Sequence, residues 1–317
     1  MNQQQRDRLA RSWRSRMLFD APMASYSTLR AGGRADALVA VHTLTELRDL
    51  LVQLDEEQLA SKVIGRGSNI LVTDNGYPGV IIHLKGKFST IDHQEESNSP
   101  VASGDASKTC TLVRTGAGCS LAGVVSWCSK QGLSGLEFMV GIPGSVGGAL
   151  RMNAGAWGGE IGERLRTIEL VDRHGYVHHR GISELCLSYR KLDLVDGKID
   201  HMVITSATFR LNMDNEEQVR SRCTQYLERR RGKQPAGAAS AGSFFKNPPG
   251  DSAGRLIEAA GLKGASCGQA MVSPVHANFI VNTGKATPTD IVILMEQIQK
   301  EVFQQFAVRL EPEVQIF

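Results

Sequence analysis

The segment Gly141-Ile142-Pro143-Gly144-Ser145-Val146-Gly147-Gly148-Ala149, followed closely by Asn153-Ala154-Gly155-Ala156, holds four glycines within eight residues. Glycine loses more conformational freedom on folding than any other residue, so such a density would destabilise a plain helix or strand. A sharply packed turn is the plain explanation, and a backbone that must approach a ligand closely is the functional one. A second loop in the same half of the chain, Gly65-Arg66-Gly67-Ser68-Asn69-Ile70, favours the functional reading. Together the two loops can line both ends of a dinucleotide's pyrophosphate.

Neither loop is a Rossmann fingerprint, because no G-x-G-x-x-G opens a helix, and no Walker-type G-x-x-x-x-G-K-[ST] occurs in the chain. No acidic partner for a ribose can be assigned. Around the loops the pattern is α+β. Short strands are predicted at Val63–Ile64, Ile70–Thr73 and Val80–Leu84, after a helix from Thr45, its N-cap, to about Leu54. A strand at Thr111–Arg114 leads to a helix over Ser120–Lys130 that Gly132 stops. Strands at Arg166–Asp172, Tyr176–His179 and His201–Leu211 complete an antiparallel sheet, the last alternating Val203, Thr205, Ala207, Phe209 and Leu211. The polar stretch 92–109 is predicted to be a surface excursion.

A composition change at 212–216 places a domain boundary after residue 211. Beyond it come a helix over Glu216–Arg231 with Val219, Cys223, Tyr226 and Leu227 on its apolar face, and a second at about Ser252–Ala260. A strand at Phe279–Asn282 precedes a long helix capped by Thr287 and opened by Pro288, with the stripe Ile291, Leu294, Met295, Ile298 and Val302. The tail Val308–Phe317 is strand-like.

At 317 residues, with 41% hydrophobic and 22% charged residues, the chain is globular and large enough for two domains. A net charge of +3 gives no field for gripping a nucleic acid. The basic segment with Arg6, Arg8, Arg11, Arg14 and Arg16 is followed by no apolar signal core, and no apolar run suffices for a membrane span, so a cytoplasmic protein is expected. That segment reads as a solvated amphipathic helix. The six cysteines form no C-x-x-C pair and read as buried reduced thiols. His174, His178 and His179 surround a turn without a matching carboxylate cluster, so a hairpin is preferred to a metal site. Ser243 lacks a G-x-S-x-G elbow and cannot be tied by spacing to His276, which leaves a hydrolase triad little support. The segment Ser240–Pro248 gathers a hydroxyl, an ammonium and an amide, yet by spacing alone an ordinary turn explains it equally well. Arg229-Arg230-Arg231-Gly232-Lys233 ends a helix, where cations complement its dipole.

Taken in order, GGRADALV (Gly32–Val39), GRGSNILV (Gly65–Val72), GLEFMVGIPGSVGGALRMNAGAWGGE (Gly135–Glu160), SYR (Ser188–Arg190), SAGSFFKNP (Ser240–Pro248), SPVHANFIVN (Ser273–Asn282) and LEPEV (Leu310–Val314) resemble the UDP-N-acetylenolpyruvoylglucosamine reductase (MurB) family over nearly the full chain. The resemblance implies an FAD-binding domain of the vanillyl-alcohol-oxidase/PCMH type over residues 1–211. An α+β substrate-binding domain follows over 212–317, with the last strand returning toward the flavin. It implies NADPH-driven reduction of the enolpyruvyl ether of UDP-N-acetylglucosamine to UDP-N-acetylmuramate, with non-covalent FAD, in cytoplasmic peptidoglycan synthesis. Hydride goes from the flavin to C3, and a proton goes to C2.

By motif position the resemblance makes Ser243 the proton donor and Arg190 with Glu313 the pair that stabilises the enolate. It makes Tyr189, Lys233, Lys246 and Asn247 substrate contacts. It lays the flavin against Gly65, Arg66, Gly67, Ser68, Asn69 and Ile70, against Gly141, Ile142, Pro143, Gly144, Ser145, Gly147 and Gly148, and against Asn153 and Ala154. A monomer without metal or nucleic acid is expected. The sequence departs from the family where Lys191-Leu192-Asp193-Leu194 follows Arg190 in place of a serine and an aromatic residue, and where Trp157 replaces a common tyrosine. The chain between Arg190 and Ser243 is too short for the lid insertion of one branch, so another loop must exclude water. An FAD-linked oxidase of the same fold and a non-catalytic flavin- or UDP-sugar-binding regulator are the competing readings. Ser243, Lys246 and Glu313 weigh against the former, as does the lack of an obvious histidine for covalent flavin attachment.

Overall fold

The computed structural model describes residues 1–13, 16–94, 109–235 and 237–317. Most of the predicted surface excursion, residues 95–108, lies outside the described residues, as does Arg14. The chain forms two compact units interleaved along the sequence: Met1–Val39, Arg66–Ile81 and Arg230–Phe317 make the first, and Ala40–Gly65 and Ile82–Arg229 the second. The predicted cut after residue 211 falls inside the second unit. Most of helix Glu216–Arg231 stays with that unit because Val219 is buried in it and Arg222 bonds Glu137 at 2.9 Å and Asp214 at 2.6 Å. Its Cys223, Tyr226 and Leu227 are only half-buried.

In the first unit, strands Ala239–Ser240, Ile280–Asn282, Ala270–Val272 and Ser266–Cys267 lie side by side in that order, all antiparallel. Helices Ala253–Ala259 and Pro288–Phe306 share a core with them. The long helix starts as predicted: the Thr287 hydroxyl accepts from the Asp290 N–H, the Asp290 carboxylate answers at the Thr287 N–H, and Pro288 needs no partner for an amide it lacks. Its stripe Ile291, Leu294, Met295, Ile298 and Val302 is buried against Phe244, Phe245, Leu256 and Ile257. Burial of this kind contributes roughly 1.5–3 kcal/mol for each large side chain. The predicted tail strand shrinks to Gln315–Ile316, paired parallel with Ile70–Leu71. Pro312, which cannot donate to a ladder, limits the rest to one isolated bridge with Phe245. Helix Gln3–Trp13 docks through Leu9 and Trp13, with Arg6 forked on Asp20.

The second unit is built on an antiparallel sheet in the order Val177–Gly181, Leu165–Val171, Val203–Met213, Cys110–Gly116 and Ile91–Gln94, with Leu133–Ser134 pairing the end of the long strand. Alternate residues of that strand, Val203 to Leu211, face inward as predicted. Helix Leu121–Lys130 is capped by the Ser120 hydroxyl and ends at Gly132, whose φ of +61° no branched residue would accept comfortably. The N-cap of the first helix of this unit is Thr43, not the predicted Thr45. The Thr43 hydroxyl accepts from the Glu46 N–H at 3.2 Å while the Glu46 carboxylate takes the His42 N–H at 2.7 Å, a reciprocal arrangement that a cap at Thr45 would forfeit.

Of the cysteines, Cys119 and Cys128 are buried, which pushes their thiols up to about 11 and about 12, but Cys186 is exposed on a hairpin and the other three are half-buried. All six are free. The histidine turn is a hairpin tip, with His178 on the Asp172 carboxylate at 2.8 Å, and among the described residues no group of His, Cys, Asp or Glu could hold a metal ion. Among them, too, no helix is long and apolar enough to cross a membrane.

Candidate functional site

In the first unit three separated stretches converge. The Glu313 N–H donates to the Phe244 carbonyl at 2.8 Å, which sets Glu313 beside the peptide that follows Ser243. The Asn69 side-chain amide donates to the Glu313 carbonyl at 3.0 Å, and the Gln315 N–H donates to the Asn69 carbonyl at 3.0 Å. Ser243, Glu313 and the loop Arg66–Ile70 are thus brought together on one frame. Ser243 is half-buried between Gly242, at φ +77°, and the fully buried Phe244.

That frame is held from below. Asn278, 4% exposed, accepts the Phe245 N–H on Oδ1 at 2.9 Å, donates Nδ2 to the Phe245 carbonyl at 2.8 Å, and receives the Phe244 N–H on its own carbonyl at 2.7 Å. His276 Nδ1 accepts the Asn278 N–H at 3.2 Å, and burial pushes this imidazole below its ordinary 6.5. Thr28 ties two segments at once: its hydroxyl donates to the Ser240 carbonyl at 2.7 Å and its N–H to the Gly67 carbonyl at 3.0 Å. Gly67 sits at φ +66°, where a Cβ would overlap the Tyr26 carbonyl oxygen.

Lys246 reaches Glu311 at 3.3 Å, and the Asn247 carbonyl oxygen Oδ1 accepts the Ala253 N–H at 3.0 Å, beside the N-cap of the next helix. Lys233 lies just past the end of helix Glu216–Arg231.

In the second unit the other predicted residues gather. Ser145 is the N-cap of helix Val146–Arg151, its hydroxyl accepting the Gly148 N–H at 3.3 Å. A Cβ on Gly65 would strike the Ser145 hydroxyl, so the two glycine loops meet here and only glycine fits at 65. The amides that open this helix are already paired within the chain. The Val146 N–H donates to the Cys119 carbonyl at 2.9 Å, the Gly147 N–H to the Ala117 carbonyl at 2.8 Å, and the Gly148 N–H to Ser145. The stretch Gly141–Gly144 comes to the surface, with Gly141 and Gly144 at φ +74° and +154° and Gly141 and Pro143 exposed. Glycines in the left-handed region at an exposed rim leave a main chain that a flat ligand can approach closely. Ala154 closes the loop backbone, donating to the Ala149 carbonyl at 2.8 Å and accepting from the Ile161 N–H at 2.9 Å.

Tyr189 and Arg190 form the two-residue turn between the paired strands Leu185–Ser188 and Lys191–Leu194. Arg190 is at φ +58°, and its guanidinium carbon lies 4.7 Å from the centre of the Tyr189 ring.

Residues 234–317 match the family described as UDP-N-acetylenolpyruvoylglucosamine reductase, C-terminal domain, and residues 35–181 match the FAD binding domain family. The UDP-N-acetylenolpyruvoylglucosamine reductase of Desulfosudis oleivorans is 40% identical over 100% of this chain and 99% of its own, and that of Pelobacter propionicus is 43% identical over 96% of each. The chain belongs to the UDP-N-acetylenolpyruvoylglucosamine reductase family. The crystal structure of the family's enzyme from Thermus caldophilus matches with a TM-score of 0.77 at 35% identity, over 95% of this chain and 98% of that one. A VAO-type flavoprotein from Myceliophthora thermophila, 10% identical with a TM-score of 0.50 over 98% of this chain and 63% of its own, shares the fold alone.

Within this reductase-family chain, the residues expected to depart from the family pattern have definite local contacts. Leu192 and Leu194 are buried opposite Leu187 and Leu185, so the strand after Arg190 is anchored by apolar pairs, and Lys191 closes on Asp193 at 2.5 Å. Trp157, at φ +57°, stacks on Tyr226 at 6.5 Å between ring centres. Thr28 stands in no motif, and His276 and Asn278 lie within the SPVHANFIVN segment without a role assigned to either as support of the site. The signal for Asn278 is an amide set among Ala277, Phe279, Ile280 and Val281, which marks a buried polar group that must be bonded.

Proposed function

We propose that this chain reduces the enolpyruvyl ether of UDP-N-acetylglucosamine to UDP-N-acetylmuramate, drawing electrons from NADPH, as a cytoplasmic monomer. The observation that carries the reading is the single frame on which Phe244, the residue after Ser243, is hydrogen-bonded to Glu313 and Glu313 to Asn69 of the loop Arg66–Ile70, in a chain of this family. FAD, held along Gly65–Ile70, Gly141–Gly148 and the main chain of Asn153–Ala154, would supply the two-electron relay between NADPH and substrate.

The chain's own residues do the remaining chemistry. Hydride addition at C3 leaves negative charge at C2 that spreads into the substrate carboxylate. Arg190 presents a planar, permanently charged fork to that carboxylate, the geometry in which a guanidinium is strongest. Glu313 acts on the same enolate in its protonated form or through a bridging cation or water. Ser243 gives its hydroxyl proton to C2. A serine is a weak acid, so this step is efficient only where the C2 carbanion is strongly basic, and a neighbour must restore the proton. Tyr189, Lys233, Lys246 and Asn247 hold the UDP portion, the two ammonium groups facing the pyrophosphate.

Anaerobic stopped-flow absorbance in the flavin's visible band tests the reading, with NADPH added first and the enolpyruvyl substrate second. Bleaching by NADPH followed by substrate-dependent recovery is the expected result. Recovery only on admission of oxygen would replace it with the oxidase, and a protein that takes up no FAD would end it.

A further inference from the structure

Asn153 is 1% exposed and sits at φ +38°, a left-handed conformation that asparagine tolerates better than most residues. Sequence and family resemblance make it a flavin contact, but its side chain is committed elsewhere. Oδ1 accepts the Gly162 N–H at 3.2 Å, and Nδ2 donates to the Glu160 carboxylate at 2.7 Å and to the Ser188 carbonyl at 3.1 Å. Both amide protons are used, and a further side-chain bond to a cofactor would have to displace one of them.

The last of these bonds matters most. Ser188 pairs with Lys191 across the hairpin, so its carbonyl belongs to the peptide that enters the Tyr189–Arg190 turn. A two-residue turn has no slack: the plane of the entering peptide fixes where the next two side chains project. Arg190 holds a left-handed φ of +58° there, which is strained for an L-residue and persists only where the surroundings over-determine it. The buried amide of Asn153 supplies that determination from one side, and the apolar pairs of the hairpin supply it from the other.

We infer that Asn153 is a positioning residue for the reaction, acting through the Ser188 carbonyl to aim Arg190, and not a flavin ligand through its side chain. The inference rests on the proposed role of Arg190 in the substrate half-reaction. It therefore separates the two halves of turnover: reduction by NADPH does not need the aimed guanidinium, and reoxidation by substrate does.

The test is a double-mutant cycle on the FAD-loaded protein, N153G and R190A singly and together, each half-reaction followed by stopped flow. Glycine keeps the left-handed backbone and removes only the amide. N153G should keep its flavin and its rate of reduction within about twofold, while reoxidation at saturating substrate slows about tenfold or more. In the R190A background N153G should add less than about twofold. Equal slowing with and without Arg190 would overturn the inference, as would loss of FAD or an equal loss in both half-reactions. If N153G does not fold, N153D, which keeps the acceptor for Gly162 and loses the donors to Ser188 and Glu160, is put through the same cycle under the same criteria. If the unmutated protein is reoxidised by oxygen but not by substrate, the reductase reading fails and takes this inference with it. Normal wild-type reoxidation with an Arg190-independent N153G defect sinks the inference alone.

Discussion

Ser243 and Arg190 are held in opposite ways. Ser243 precedes two fully buried phenylalanines whose main chain is clamped by Asn278, so its place is set by the core of the first unit. Arg190 stands at the tip of a four-residue-stranded hairpin in the second unit, beside an exposed Tyr189, in a strained backbone conformation. A group seated on a core is difficult to displace without unfolding its support. A group on a hairpin tip is displaced by small changes beneath it that leave stability almost unmoved.

The largest effect expected from this contrast is chemical. Ser243→Ala should leave flavin reduction by NADPH intact and slow reoxidation by substrate by about 10²–10⁴-fold, the usual contribution of a positioned acid. Stopped-flow kinetics of both halves decides it. Parallel loss in the two halves would mean that the serine supports the fold or the flavin instead of the proton.

Asn278→Ala follows. It strands the buried Phe245 N–H and carbonyl, so it should destabilise the protein by about 2–4 kcal/mol, read from urea unfolding, and slow reoxidation in the same variant. A stability loss without a kinetic one would show that Ser243 is not seated through this clamp, and the contrast with Arg190 would collapse.

The same contrast explains what could be read from sequence. The long helix was legible to its caps, because Thr287, Pro288 and an unbroken apolar stripe each act over a few residues. The sheet of the second unit was legible from alternation along Val203–Leu211. Three things were not. A competing cap residue two positions earlier won at Thr43, since Glu46 could reciprocate. The interleaving of the units depends on contacts between distant segments that no local pattern encodes. The stretch Gly141–Gly148 reads in sequence as a loop whose main chain is free to approach a ligand, but Val146 opens a short helix and the Cys119 and Ala117 carbonyls take the Val146 and Gly147 N–H groups. The site's supporting residues were hidden for the same reason: Thr28 and Asn278 act at separations of 212 and 33 residues.

A smaller, pH-dependent effect belongs to the clamped side. Burial holds His276 below its ordinary 6.5, Lys263 adds to this, and Glu258 and the residue's own backbone oppose it. A group whose folded pKa is depressed stabilises the fold above its unfolded pKa, and that contribution is lost as pH falls from there through the folded value. Thermal midpoints of the wild-type protein should therefore fall more steeply than those of His276→Gln on acidification below 6.5. Parallel curves would show that the imidazole is not a buried neutral acceptor for Asn278.

The smallest effect is expected on the hairpin. Lys191 is the residue most at odds with the family pattern after Arg190, and its pairing with Asp193 raises its own pKa and lowers that of its partner, through the hydrogen bond first. Both groups are solvent-screened, and pairs of that kind contribute little. The turn is supported instead by the buried Leu192 and Leu194 and by the Asn153 amide on Ser188. Lys191→Ala should accordingly leave the thermal midpoint unchanged and the reoxidation rate within about twofold. A larger slowing would make the ion pair part of what aims Arg190. It would also turn the departure from the family pattern into a functional replacement for the support that the serine and aromatic residue give elsewhere.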